Sequence, residues 1–334
     1  MRYFGKTGMK IKRVGFGGIP IQRISQEDTN KVIDELEKCG VNFIDTARGY
    51  TVSEEYLGNA IKGRREKFYI ATKSMSRDYE SMKRDIEISL KNLQTDYIDL
   101  YQMHNVKPAE YDTLFGEDKA YRALLEAKEQ GKIKHIGITS HGLETVEKAV
   151  ESDKFETIQF PYNIVENQAD EVFKRAYEKG VGTIVMKPLA GGAIDDGTLA
   201  MKYLLSREYI DVAIPGMDSP QQVIENTDVL QNYELTEEDN KKIAKIKSEL
   251  GTNFCRRCEY CLPCPKGINI PQNFLLEGYY NRYNLKDWAV DRYRGLAENE
   301  RASNCIECGA CQKKCPYELP IIDMLKKVVD TLEK

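Results

Sequence analysis

Short apolar runs alternate with amphipathic stretches along the first two-thirds of the chain. Eight of these runs read as strands: 14–17, 43–46, 68–72, 97–103, 136–139, 157–160, 183–186 and 212–215. Each is followed by residues at helical spacing. Met82, Ile86, Leu90 and Leu93, at steps of four, four and three, form one apolar stripe. Eight strand–helix units in roughly 230 residues have the size and rhythm of a closed parallel barrel. An open doubly wound sheet is the rival architecture, but the first unit lacks the Gly-x-Gly-x-x-Gly turn that such folds carry there.

The last helix of the series has a sharp start. Ser219 is a capping residue, Pro220 suits the first helical position, and Gln222 stands where it completes a capping box. A further helix over 237–249 leads to Gly251, where the pattern changes. Residues 1–250 therefore read as a (β/α)8 TIM barrel and 251–334 as a small, mostly helical domain. The forty residues from Pro265 to Asn304 are rich in Tyr and charge and read as helical. Their aromatics, Tyr279, Tyr280, Tyr283, Trp288 and Tyr293, are expected to pack as core rather than to stack on bases.

Eight of the nine cysteines fall in that second domain, in two runs. The first is Cys255-x2-Cys258-x2-Cys261-x2-Cys264-Pro265, and the second is Cys305-x2-Cys308-x2-Cys311-x3-Cys315-Pro316. A zinc site needs four ligands and commonly separates its pairs by a longer loop. Disulfides between cysteines so close in sequence are awkward at the usual Cα separations. The spacing favours two [4Fe–4S] clusters. In two-cluster ferredoxins the fourth cysteine of one run serves the other cluster. This gives Cys255, Cys258, Cys261 and Cys315 for one cluster, and Cys305, Cys308, Cys311 and Cys264 for the other. Cys39, alone at the end of an expected helix, reads as a buried, inert thiol.

Charge narrows the field. A net charge of −4, spread over mixed acids and bases, gives no footprint for nucleic acid. No stretch reaches membrane-spanning length, and the N-terminus lacks the apolar run of a signal peptide. Clustered thiols without an export signal fit a reducing cytoplasm.

Four residues at or just beyond three strand ends carry complementary chemistry: Asp45 and Tyr50 after the second strand, Lys73 after the third, His104 after the fourth. Strand C-termini of such barrels converge on one mouth. Reducing a carbonyl takes a hydride on carbon and a proton on oxygen. A phenol ordinarily titrates near pH ~10, and a neighbouring ammonium stabilises its phenolate. Lys73 suits that role for Tyr50, with Asp45 orienting Lys73 and His104 binding the substrate oxygen. Arg48, Tyr79, Asn105 and Tyr111 are either lining of that mouth or exposed loop residues.

Residues 1 to about 230 resemble the aldo-keto reductase family. The likeness rests on three stretches: 3–9, the run Val14-Gly15-Phe16-Gly17-Gly18, and Gly40-Val41-Asn42-Phe43-Ile44-Asp45-Thr46-Ala47 with Tyr50, Glu55, Leu57 and Gly58 following. It implies a catalytic tetrad of Asp45, Tyr50, Lys73 and His104, with Tyr50 as proton donor. It also implies a nicotinamide held by residues after strands five to eight. These are Thr139 and Ser140, the amide-binding Gln159, then Met186, Lys187, Pro188, Leu189 and Gly191. The last loop adds Gly216, Ser219, Gln222, Glu225 and Asn226. Many members carry Lys and Arg where this chain has Gly216 and Gln222, so NADP and NAD both stay open. The last third resembles dicluster ferredoxin modules fused to some members.

Nicotinamide transfers a hydride whereas clusters pass single electrons, and flavin is one mediator that joins the two; no decisive flavin signature stands in the chain. Three functions follow. One is a nicotinamide-dependent reductase of a small carbonyl compound with an attached cluster domain. The second is a reductase fed through its clusters by a ferredoxin or another redox partner. The third is an electron-carrying or regulatory protein without turnover.

Overall fold

The computed structural model describes residues 1–250, 255, 259–281 and 286–333. A short antiparallel hairpin opens the chain, β1 (Arg2–Tyr3) with β2 (Lys10–Ile11). Eight parallel strands follow: β3 (Phe16–Gly17), β4 (Phe43–Asp45), β5 (Tyr69–Ser74), β6 (Ile98–Met103), β7 (Ile133–Thr139), β8 (Thr157–Pro161), β9 (Gly182–Met186) and β10 (Val212–Ala213). Each pairs with the next in sequence. Bridges from Val14 to Ala213 and from Gly17 to Gly216 join the first strand segment to the last and close the barrel. A helix follows every strand, from Gln26–Lys38 after β3 to Pro220–Asp228 after β10. The expected eight-unit (β/α)8 architecture is the observed one.

Alternation along the strands sorts the interior by height. Phe43, Ala71, Leu100, Ile184 and Val212 form one buried apolar cluster, which Phe4, Met9 and Ile11 of the N-terminal segment join. Residues two apart share a face, so Asp45, Lys73 and Gln102 sit one step up from Phe43, Ala71 and Leu100. The interior is thus apolar low in the barrel and polar at the strand C-termini. Gly137 makes room there, since a Cβ on it would lie 2.3 Å from Thr157 Oγ1 and 3.0 Å from Gln102 Cγ.

The chain divides into two compact units, Met1–Leu189 with Asp196–Lys245, and Ala190–Asp195 with Ile246–Lys334. The expected boundary at Gly251 lies outside the described residues, as do Cys258 and Tyr283. The second unit is helical, with Ile270–Asn281, Lys286–Arg294, Ala310–Lys314 and Ile321–Leu332. Its core gathers Ile268, Phe274, Leu276, Tyr293, Leu325 and Val328 with Cys261 and Cys311. Tyr293 is buried there as expected, but Trp288 is 43% exposed, with Tyr279 edge-to-face against it and the Arg292 guanidinium 5.2 Å from its ring centroid. Cys39 does cap a helix, yet its thiol is half-buried, 4.0 Å from Glu35 Oε1 on the last turn, rather than enclosed. Among the described residues no helix is long and apolar enough to cross a membrane.

Candidate active site and cysteine cavity

Parallel register builds the polar layer. Asp45 pairs with Ala71 across β4 and β5, and Lys73 pairs with Gln102 across β5 and β6. Lys73 is 1% exposed, and its Nζ donates to Asp45 Oδ2 at 2.5 Å and to the Thr46 carbonyl at 2.8 Å. Gln102 Nε2 donates to Asp45 Oδ1 at 3.1 Å, and the Gln159 side chain also hydrogen-bonds this carboxylate. Burial pushes the Asp45 carboxyl up and the Lys73 ammonium down, and each group's charge holds the other back. Removing either charge would strand the other in a dry site.

Tyr50 stands in the turn between β4 and the helix Ser53–Ala60. Its ring centroid lies 5.2 Å from Lys73 Nζ and 6.0 Å from the His104 ring, the two rings nearly perpendicular at 86°. His104 follows β6 directly, with its backbone N–H on the Ser74 carbonyl. Burial drives its pKa well below 6.5, helped by the Lys73 and Arg77 charges, so the imidazole is neutral. Its Nδ1 is buried with no hydrogen-bond partner among the described residues. An Nε2–H tautomer leaves only a lone pair at that wall. The four residues foreseen for carbonyl chemistry therefore share one site, a cation, its counter-ion, a phenol and a neutral imidazole.

The cofactor candidates divide. Gln159 is 2% exposed and its Oε1 has no partner among the described residues, a buried acceptor that fits a carboxamide N–H. Thr139 and Ser140 are buried but engaged: Thr139 Oγ1 accepts the Asn105 N–H at 2.8 Å, and Ser140 Oγ donates to the Val106 carbonyl at 2.6 Å. Met186 ends β9 half-buried, and Lys187 next to it reaches His141 Nε2 at 3.0 Å. Pro188 is buried and Leu189 half-buried. Gly191 takes φ 67° in the 190–195 segment that groups with the second unit. Ser219 caps its helix, Pro220 follows at the first position, and Gly216 is exposed. Gln222 differs from expectation: its Oε1 accepts the N–H of Asp218, one residue before the cap, so no reciprocal box with Ser219 forms. Glu225 accepts from Gln221, and Asn226 donates to the Gln222 carbonyl.

Several functional neighbours went unread in the sequence. Gln102 is one; a strand residue paired with Lys73 was the available signal. Glu54, not the neighbouring Glu55, is the buried carboxylate after Tyr50, at 1% exposure. Arg77 Nη2 donates to the His104 carbonyl at 2.8 Å. Among the residues placed near the mouth, Asn105 Oδ1 bonds His141 Nδ1. Tyr79 instead donates to Glu126 on the helix Ala120–Glu129, and Tyr111 is buried against Phe115 and Phe155.

In the second unit, Cys264, Cys305, Cys308 and Cys311 line one cavity, with Ile268 and Ile270 as apolar wall. Burial pushes the Cys311 thiol up, and Cys305 and Cys264 lie close enough to add to the shift. This quartet crosses the two sequence runs and fits an iron–sulfur group. Cys255, Cys261 and Cys315 belong to the same core. Among the described residues no three such side chains converge as a single metal ion needs. A four-iron cube, by contrast, binds each thiolate through a different iron and tolerates wider spacing.

A closed (β/α)8 barrel with its polar site at the strand C-termini, joined to a cysteine-rich helical unit, defines the class. The chain belongs to the aldo/keto reductase family, whose profile matches residues 13–198; residues 254–320 match a 4Fe-4S dicluster domain. It is 25% identical over 301 residues to L-galactose dehydrogenase of Arabidopsis thaliana, covering 75% of this chain and 94% of that protein. It is 29% identical over 251 residues to methylglyoxal reductase DkgA of Escherichia coli, covering 69% and 88%. The solved holo form of aldo-keto reductase AKR11C1 from Bacillus halodurans superposes with a TM-score of 0.64 at 25% identity, covering 73% of this chain and 95% of that one. The family and these relatives make the chain an oxidoreductase, and the second match gives it a 4Fe-4S dicluster domain.

Proposed function

We propose that the barrel reduces a small aldehyde or ketone with a nicotinamide cofactor, and that the second unit carries two [4Fe–4S] clusters. The observation that carries the first part is the buried Lys73–Asp45 pair against the Tyr50 ring. A bound nicotinamide supplies the hydride; NADP and NAD are both compatible with a loop that lacks cations at Gly216 and Gln222. Gln159 Oε1, with Met186, Lys187, Pro188 and Leu189 beside it, suits the cofactor end of the site. The carbonyl oxygen sits between Tyr50 and His104. Neutral His104 donates a hydrogen bond to it and orients it. Tyr50 gives up its phenolic proton to that oxygen as the carbon–oxygen double bond becomes single. Lys73 stabilises the phenolate left behind, and Asp45 keeps the ammonium aimed.

The cysteines divide as Cys264, Cys305, Cys308 and Cys311 for one cluster and Cys255, Cys258, Cys261 and Cys315 for the other; the shared cavity of the first quartet supports this. Such clusters exchange single electrons with a redox protein such as a ferredoxin, and a reducing cytoplasm is the compartment that suits them. The test is anaerobic mixing with NADPH or NADH and a panel of aldehydes and ketones. Carbonyl-dependent cofactor oxidation that survives Cys308→Ser is expected. Turnover only with reduced ferredoxin would assign the electrons to the clusters instead. Cofactor binding without turnover across the panel would make the protein a carrier or regulator.

A further inference from the structure

We propose that Glu54 is a positioning residue that, with Arg48, locks the loop bearing Tyr50 onto the strand bearing Lys73. The inference rests on the reductase reading given above and deepens it. Glu54 is 1% exposed, and the donors around its carboxylate come from three parts of the site's frame. Arg48 Nη1 donates to Oε2 at 2.7 Å from within the Tyr50 loop. Thr72 Oγ1 donates to Oε1 at 2.8 Å from β5, one residue before Lys73. Ser89 Oγ donates to Oε1 at 2.7 Å and Asn92 Nδ2 to Oε2 at 3.4 Å, both from the helix Tyr79–Leu93. One buried carboxylate thus ties loop, strand and helix together.

The loop needs such a tie. Thr51, directly after Tyr50, takes φ 37°. A β-branched residue there is a genuine outlier, and such conformations persist only where the surroundings over-determine them. The surroundings do so here. Arg48 N–H bonds the Lys73 carbonyl at 3.0 Å, Tyr50 N–H bonds the Ala47 carbonyl at 3.0 Å, and Ser53 N–H bonds the Tyr50 carbonyl at 2.7 Å. Ser53 Oγ donates to the Gly18 carbonyl at 3.0 Å, fixing the far end of the loop. The Arg48 side chain carries this loop into the Glu54 hub. Glu54 and Arg48 touch neither the Tyr50 ring nor the Lys73 ammonium in any of these bonds, so they act through the backbone that presents those groups. The negative charge of Glu54 also favours the charged form of Lys73.

Glu54→Gln keeps the shape and removes the charge; Arg48→Met removes the tie from the other side. Each is expected to lower kcat about 10- to 100-fold, the range a small misplacement of a reacting group produces, with carbonyl KM changing far less. In Glu54→Gln the alkaline limb of the kcat profile should also move to lower pH. Adding Thr51→Gly to Glu54→Gln relieves the strained turn and should recover part of the lost kcat. Hydrogen exchange at the Arg48, Tyr50 and Ser53 amides should quicken in both single variants. Unchanged kcat and unchanged exchange in the folded variants would overturn the clamp. A wild-type protein inert toward every carbonyl, with faster exchange in Glu54→Gln, would overturn the reductase reading and leave the clamp standing. A lower melting temperature without change in kcat, pH profile or loop exchange would reduce Glu54 to a structural role and overturn the proposal.

Discussion

At the scale of single residues, Lys73 sets the terms. An ammonium that is 1% exposed is tolerable only with a counter-charge and filled hydrogen bonds, which Asp45 and the Thr46 carbonyl supply. His104 meets the same dry environment and answers by staying neutral. In the unfolded chain it takes up a proton near pH 6.5; in the fold it does not. Below that pH the unfolded state binds more protons, so this residue's share of stability falls as pH drops. Denaturation measured from pH 7.5 to 5.5 should therefore depend less on pH in His104→Gln than in the wild type. The kcat profile should show no limb from His104 near pH 6.5. Asp45, Tyr50, Lys73 and His104 were legible because charge and aromaticity at strand ends stand out in a pattern. Gln102 and Glu54 were not, because an amide inside an apolar strand and one acid among two adjacent glutamates have no period of their own. Only register and burial single them out.

At the scale of elements, the eight expected strands match the observed ones to within a few residues, since apolar runs of this length are set by burial on both faces. The two-residue strands β3 and β10 are the shortest, and their pairing depends on the bridges that close the barrel. Helix packing explains the Leu57-Gly58 pair in the signature. A Cβ on Gly58 would lie 2.2 Å from the Asn92 carbonyl oxygen and 2.8 Å from Leu93, backbone atoms that cannot swing away. Gly58→Ala should force the helix Ser53–Ala60 off Tyr79–Leu93 and destabilise the barrel by about 2 kcal/mol, read as a lower melting temperature. Glu156 offers an acid-side test between β7 and β8. Burial raises its pKa, but hydrogen bonds from His135, Lys128 and the Ile136 N–H outweigh this and bring it to about 2. Its contribution is present above the ordinary 4.5 and lost as pH falls toward 2. Glu156→Gln should cost about 1 kcal/mol at pH 7 and flatten the stability profile below pH 5.

At the scale of the whole molecule, an aldo/keto reductase barrel and a 4Fe-4S dicluster domain share one chain. The cysteine runs could be read from spacing, and the crossing of Cys264 into the second quartet was expected from the rule for two-cluster ferredoxins; what the fold adds is that Cys264, Cys305, Cys308 and Cys311 line one cavity. Cys308 is exposed, so replacing it leaves the buried core of the second unit intact. Cys308→Ser should lower the anaerobic iron content from roughly eight to roughly four atoms per chain, with the brown absorbance falling in step. A colourless, zinc-loaded protein would contradict the cluster assignment. The barrel makes the stronger claim, that one phenol beside one buried ammonium donates the proton. Its most direct test is kcat for carbonyl-dependent NADPH or NADH oxidation in Tyr50→Phe, measured anaerobically against the wild type. A fall of about 100-fold or more with the clusters intact is expected, in line with the usual worth of a general acid. Wild-type turnover in Tyr50→Phe would contradict it.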